Sequence, residues 1–183
     1  IADQFLRHKN RRLLNSLPPW LIMGLAIHIG THRMKGSRLE PKPDEWDMEA
    51  IREGLREDSF KPTKELISAR DGDSFDRNAR IQSLAMIQFL RTKGQRNKKY
   101  KNIISDYLGL LDKKMREFQK SRSDEFVEAV GEAGDDDGDS LRRWISEWEK
   151  KRNAIYDECQ KAVFGSWDDD DWKRFDDDWK KIF

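Results

Sequence analysis

The stretch "SLPPWLIMGLAIHIGTH", Ser16–His32, is the most apolar run in a chain of 183 residues of which 39% are charged. It opens with Pro18 and Pro19, which suit the first turn of a helix because an amide there has no intrahelical partner. The run from Leu17 to Gly30 is about fourteen residues long, short of the roughly twenty that a membrane-spanning helix needs. It therefore predicts a buried core helix from Trp20 to about His32 and no membrane span.

The composition around this run indicates a folded, helical protein. Hydrophobic residues make up only 36% of the chain, but seven tryptophans and nine phenylalanines argue against disorder. The apolar spacing is helical nearly throughout, without a clear alternation of period two. We therefore predict a mostly α, multi-helix fold in a single domain over residues 1–183.

The spacing also predicts the order of the elements. We expect Trp46, Ile51 and Leu55 to share one side of the helix over residues 44–55. We expect Gly94 to end the helix over residues 76–92. The predicted helices cover residues 1–15, 20–32, 44–55, 76–92, 100–118, 124–131, 140–163 and 172–183, with a short helix after Pro62 and a connecting loop over residues 36–43.

The charges exclude little on their own. The net charge of +1 gives no global field that would attract nucleic acid or an acidic membrane. The segment Arg91–Lys101 is basic but contains one aromatic residue, Tyr100, too few for a platform on which bases stack. The single cysteine, Cys159, excludes an internal disulfide.

His28 and His32 are the candidate metal ligands of the apolar stretch. Their four-residue spacing puts two imidazoles on one face of a helix. A zinc hydrolase of this kind uses His-Glu-x-x-His, in which the glutamate is the general base, but Ile29 stands in that position here. We interpret the pair as two ordinary histidines near a helix end, with a metal site as the alternative.

Several short motifs together resemble the gluzincin-type, peptidase-MA-like metallopeptidases of uncharacterised function. "LPPWLIMGLAIHI" (residues 17–29) resembles the helix that carries their third zinc ligand. "ARIQSLAMIQFL" (79–90) is similar to their Gln-Ser-x-Ala helix, and "YKNIISDYL" (100–108) and "AVFGSWDDDDWKRFDDDWKKI" (162–182) resemble their C-terminal helices. The resemblance implies the C-terminal helical subdomain of that fold, with zinc-site-like helices over 1–36, loops and short helices over 37–75, and a helical bundle over 76–183.

The departures from that family concern its zinc ligands. Met23 stands at the position of the ligand glutamate, and a neutral thioether suits zinc poorly. If Gln4 marks the register, Asp3 replaces the second histidine, and the remaining His-Glu pair would precede Ile1. The resemblance therefore implies a degenerate scaffold without catalytic, cofactor-binding or metal-binding residues, and we expect the chain to be part of a longer protein. The packing frame of the helix is kept at Trp20, Gly24, Leu25 and Ala26.

These observations favour a catalytically inactive, peptidase-like scaffold that acts as a binding or assembly module for a protein partner or an upstream domain. One alternative is an active zinc peptidase, with its His-Glu-x-x-His upstream of residue 1 or with His28 and His32 as unusual ligands. A second is a helical nucleic-acid or ribonucleoprotein component that uses Arg91–Lys101. For the compartment, the resemblance alone makes export an expectation. Five tryptophans fit either a docking surface or the core: Trp144, Trp148, Trp167, Trp172 and Trp179.

Overall fold

A computed structural model describes the backbone of residues 17–35, 38–41, 44–70, 75–132 and 138–183. Side chains are described for residues 17–32, 44–70, 75–120 and 142–183. The predicted helix over residues 1–15, with Asp3 and Gln4, lies outside the described residues.

The described part of the chain is mostly helical, which confirms the predicted fold class at that level. It has seven α-helices, one 3-10 turn (Lys93–Arg96) and one two-stranded hairpin. The α-helices are α1 (Pro19–Gly30), α2 (Glu45–Arg56), α3 (Thr63–Ser68), α4 (Arg77–Arg91), α5 (Ile103–Glu132), α6 (Gly138–Phe164) and α7 (Asp169–Lys180), and the strands are β1 (His32–Lys35) and β2 (Arg38–Pro41).

The chain divides into two compact units. Unit 1 contains the described residues up to Ile104 together with Ser166–Phe183, and unit 2 contains Ser105–Gly165. The single domain expected over residues 1–183 stays a prediction. No helix among the described residues is both long enough and apolar enough to cross a bilayer.

Aspartate caps fix the starts of three helices. Asp44 accepts a hydrogen bond from the amide of Trp46, Asp76 from that of Ala79, and Asp168 from that of Asp171. Each satisfies one of the amides that have no partner in a first helical turn. The predicted starts of α2 and α4 are confirmed, and α7 begins three residues earlier than predicted because Asp168 is its cap.

The predicted loop over residues 36–43 is wrong at residues 38–41, which form β2 and pair antiparallel with β1, with His32 opposite Pro41. The other residues of that loop lie outside the described residues. The helix before it ends at Gly30 and not at His32. Thr31 ends that helix: its amide bonds the carbonyl of Ile27, and its hydroxyl donates to that of His28. Strands of four residues are too short to show a period of two.

The predicted break between residues 118 and 124 is also wrong, because α5 runs without interruption from Ile103 to Glu132. The intervening sequence "QKSRS" holds neither glycine nor proline, so nothing in it stops a helix. The preceding helix ends at Arg91, and Gly94 lies inside the 3-10 turn that follows.

The core of unit 1 is built on the contact of α1 with α4. Trp20 and Leu21 are fully buried there. A Cβ atom on Gly24 would lie 2.6 Å from the carbonyl oxygen of Ser83 and 2.6 Å from Cγ1 of Ile87. The two helices approach so closely at this point only because residue 24 has no side chain.

A buried polar cluster joins α7 to the start of α3. The Asp176 carboxylate accepts hydrogen bonds from the Thr63 hydroxyl, from the Thr63 amide at 3.3 Å, and from Nε1 of Trp179 at 3.0 Å. Phe60 packs on the Trp179 ring, with centroids 5.7 Å apart. Buried donors and acceptors that pair in this way avoid the cost of lost hydration.

Unit 2 contains most of α5 and all the described part of α6. Tyr107, Leu111 and Met115 recur every four residues on α5 and are buried, as helical periodicity predicts. Lys114 of α5 forms an ion pair with Glu158 of α6.

Candidate functional site

The resemblance assigns α1 to a zinc site. Met23 and His28, the two positions of α1 that bear on zinc binding, lie on different sides of the helix. Met23 and His28 are five residues apart, which separates them by about 140° around the helix axis. His28 follows Gly24 by four residues, so it lies on the side that packs on α4. His28 therefore cannot take over the ligand role of the position that Met23 occupies.

His28 is a core residue. Its side chain is 7% exposed, and its Nδ1 has no hydrogen-bond partner in the structure. Burial, followed by the charges of His32 and Arg91, lowers the pKa of His28 to about 4. The imidazole is therefore neutral near neutral pH, as a neutral ring is far less costly to bury than a charged one.

His32 lies beside it but is oriented by the backbone. Its Nδ1 lies 2.7 Å from the carbonyl oxygen of His28. Because a carbonyl oxygen can only accept, this nitrogen carries the hydrogen and donates the hydrogen bond. The two rings meet edge to face with centroids 4.8 Å apart. The histidines are thus brought together, as their spacing predicts, although His32 is no longer helical.

Zinc in a peptidase needs three protein ligands and one open position. Among the described side chains, no three His, Cys, Asp or Glu groups come together. With a thioether at position 23 and one histidine in the helix interface, the described residues do not fit a catalytic zinc site.

A different site lies at the C-terminal end of α4, where the basic segment forms a compact turn. The Asn97 amide bonds the carbonyl of Gly94, and the Tyr100 amide bonds that of Asn97. Gln95 holds the turn from both ends, because its side-chain amide donates to the carbonyls of Leu90 at 2.7 Å and Lys101 at 3.1 Å. The charged side chains of this segment therefore project from an ordered backbone.

The turn and the last residues of α7 enclose an open cavity of about 640 Å³, here called the basic cleft. Its apolar part comes from aromatic residues and from Ile182, and its polar part from the turn and from Asp178. The lining residues are Phe89, Lys93, Arg96, Asn97, Lys98, Tyr100, Asp178 and Ile182.

Three cations of the cleft have no partner among the described residues. Lys93, Arg96 and Lys98 are exposed, and none of them makes an ion pair or side-chain hydrogen bond within the part of the chain whose side chains are described. Lys99, between them and Tyr100, differs: it pairs with Asp171 and lies 5.4 Å from the centre of the Trp167 ring. One basic segment thus contains both a paired cation, Lys99, and unpaired ones.

One carboxylate, Asp178, lines the same cleft. Asp178 accepts a hydrogen bond from the Tyr100 hydroxyl at 3.1 Å. Burial and this bond to Asp178 raise the pKa of Tyr100 to about 12, so the phenol stays protonated. Asp178 also lies 3.8 Å from Lys181. The lining of the cleft therefore contains three cations and one carboxylate that is already oriented.

The five tryptophans divide between core and partial exposure. Trp172 and Trp179 are buried in unit 1, while Trp144, Trp148 and Trp167 are half-buried. In unit 2 the Arg152 guanidinium lies 4.5 Å from the centre of the Trp148 ring.

The predicted position of Trp46, on the same side of α2 as Ile51 and Leu55, is wrong. It was expected beside Ile51 and Leu55, yet it is 86% exposed while Ile51 is fully buried. Five residues of helix put Trp46 and Ile51 about 140° apart, so they cannot share a side.

Cys159 is not a candidate nucleophile. The thiol is buried in unit 2, and burial raises its pKa to about 11. A nucleophilic cysteine needs the thiolate form near neutral pH.

Comparisons with protein-family models, with curated proteins and with solved structures found no match to this chain. The resemblance to gluzincin metallopeptidases therefore rests on the motifs in the sequence.

Proposed function

We propose that this chain is a non-catalytic helical scaffold, similar to the C-terminal part of a gluzincin metallopeptidase, that binds or assembles with a protein partner. The observation that carries the proposal is the basic cleft, where Lys93, Arg96 and Lys98 project unpaired from an ordered turn. Unpaired cations around a concave surface favour association with an anionic group.

The non-catalytic part of the proposal is supported by the way α1 is used. Its glycine allows the close approach to α4, and His28 is buried in a neutral form. Met23 offers no charge at the position where the family has a carboxylate ligand. The helix acts as a packing element of unit 1.

Zinc binding tests this part against the active-peptidase alternative. The chain is incubated with zinc, freed of unbound metal and analysed for metal content, alongside the double variant His28→Gln/His32→Gln. We expect substoichiometric zinc in both proteins and no zinc-dependent hydrolysis of an unfolded protein substrate. Stoichiometric zinc that is lost in the double variant would overturn the proposal.

Nucleic-acid binding is the second candidate, and the unpaired cations of Arg91–Lys101 favour it. A basic surface that binds phosphates loses affinity steeply as salt rises. The test is the binding of a labelled single-stranded oligonucleotide at about 50 and about 200 mM salt. Absence of salt-sensitive binding removes this candidate.

A further inference from the structure

The basic cleft carries a more specific inference about the partner, which rests on the proposed binding function. We infer that the cleft binds a short acidic peptide segment of a partner protein, with its carboxylates on Lys93, Arg96 and Lys98 and an apolar side chain against Ile182.

Charge complementarity is the first step. The three cations lie within one ordered turn and have no carboxylate partner in the structure. The Arg96 guanidinium offers a planar pair of donors that matches a carboxylate, whereas the two lysines act as point charges. Exposed cations like these are available to a partner without breaking a pair within the chain.

The lining of the cleft favours a peptide over a nucleic acid. Phe89 is 4% and Tyr100 2% exposed, so neither ring presents a face on which a base could stack. Asp178 repels phosphates and carboxylates alike, but its carboxylate can accept a hydrogen bond from a peptide N–H. The half-buried Ile182 suits an aliphatic side chain.

The size of the cleft sets the length of the segment. About 640 Å³ is within the range of pockets that hold small ligands, so the open cleft has room for a few residues of a peptide. A short linear segment that joins carboxylates to one aliphatic residue offers partners to the three cations and to Ile182.

The test uses the full chain and a fluorescein-labelled peptide of about ten residues, rich in aspartate and glutamate around one leucine. Fluorescence anisotropy gives the dissociation constant for the chain and for the triple variant Lys93→Glu/Arg96→Glu/Lys98→Glu. We expect the variant to lose at least about tenfold in affinity, since it replaces three attractions with three repulsions. Circular dichroism and urea unfolding establish that the variant is folded.

The matched control is Lys113→Glu/Arg143→Glu/Lys150→Glu, which changes the charge equally at exposed positions of unit 2. We expect it to bind the peptide with less than about a threefold loss, because it changes the net charge equally but keeps the three cations of the cleft. An equal loss in both variants means attraction by net charge alone and overturns the inference.

An oligonucleotide of the same charge is measured in parallel. If it binds more tightly than the peptide and only the cleft variant loses it, the occupant is nucleic acid and the inference is wrong. If neither ligand binds, the inference is also wrong. Stoichiometric zinc that is lost in the His28→Gln/His32→Gln variant would instead contradict the proposed non-catalytic function. The metal analysis measures this separately from peptide binding, so the two failures can be told apart.

Discussion

The α1 helix and the basic cleft both lie in unit 1, and they use polar residues in opposite ways. In α1, His28 is a residue type that can bind a metal, but it is buried in the packing against α4. In the cleft, Lys93, Arg96 and Lys98 look like an ordinary solvated surface, but they surround a cavity and have no partner.

The difference shows that residue type is a weaker guide to function than the state of a residue's partners. A histidine that is buried and neutral contributes to the fold. A cation that stays unpaired on an ordered turn contributes little to the fold and remains available for binding. Four predictions test whether the two regions are separated in this way.

The largest effect is expected from Gly24→Ala. The new Cβ would meet the carbonyl oxygen of Ser83, a backbone atom that cannot move cheaply. We expect the free energy of unfolding to fall by about 2–3 kcal/mol despite the better helix propensity of alanine. Gly30→Ala, where nothing lies within 4 Å, serves as the control and should be neutral or slightly stabilising in urea unfolding. Equal effects of the two changes would contradict a close contact of α1 with α4 at Gly24.

The second prediction concerns the pH dependence of stability. Because the pKa of His28 is about 4 in the folded chain and 6.5 ordinarily, the unfolded chain takes up the proton first as the pH falls. The contribution of His28 to stability is therefore greatest above pH 6.5 and is lost as the pH falls from 6.5 to about 4, with about 2 kcal/mol of that loss between about pH 7 and about pH 5. The measurement is urea unfolding at about pH 7 and about pH 5.

The variant His28→Gln should lose this part of the pH dependence, and His32→Gln should keep it. If His28→Gln shows the same fall in stability between the two pH values as the unaltered chain, His28 is not a buried neutral residue.

The third prediction concerns α7, which carries Asp178 of the cleft and ends just before Ile182. Asp176→Asn replaces a carboxylate that accepts three hydrogen bonds with an amide whose NH₂ group faces donors. We expect a loss of about 1–2 kcal/mol in the free energy of unfolding. Asp177→Asn, one residue on and exposed, should change stability by less than about 0.5 kcal/mol. A harmless Asp176→Asn would show that the cluster does not hold α7.

The smallest effect on stability is expected in the cleft itself. Lys93→Ala, Arg96→Ala and Lys98→Ala should each change the free energy of unfolding by less than about 0.5 kcal/mol, because these side chains make no ion pair in the structure. A loss above about 1 kcal/mol in any of them would place these cations in the fold and break the contrast with α1.

Much of the helical layout could be predicted from local signals. Asp44 and Asp76 are caps that act within three residues of the chain, and the row Tyr107, Leu111 and Met115 is a strong helical period. Elements that depend on pairing were not predictable in this way. The hairpin has strands of only four residues, and its partners are set by register rather than by composition.

The candidate site was only partly predictable. The basic character of Arg91–Lys101 is visible in the sequence, but the pairing of Lys99 with Asp171 depends on a residue far along the chain. The contribution of Asp178 and Ile182 to the same cleft depends on the placement of α7. Tyr100, which looked like an isolated aromatic residue, is buried and orients Asp178.

We expect a protein partner to contact unit 1 at the basic cleft and not at the histidine end of α1. The most direct measurement is a titration of the ¹⁵N-labelled chain with the acidic peptide, followed by amide chemical shifts. We expect the chemical-shift changes to concentrate in residues 93–98 and 178–182, and we expect the amide shifts of His28 and His32 to stay unchanged. Shifts that concentrate at His28 and His32, or that spread evenly over the basic residues of both units, would contradict it.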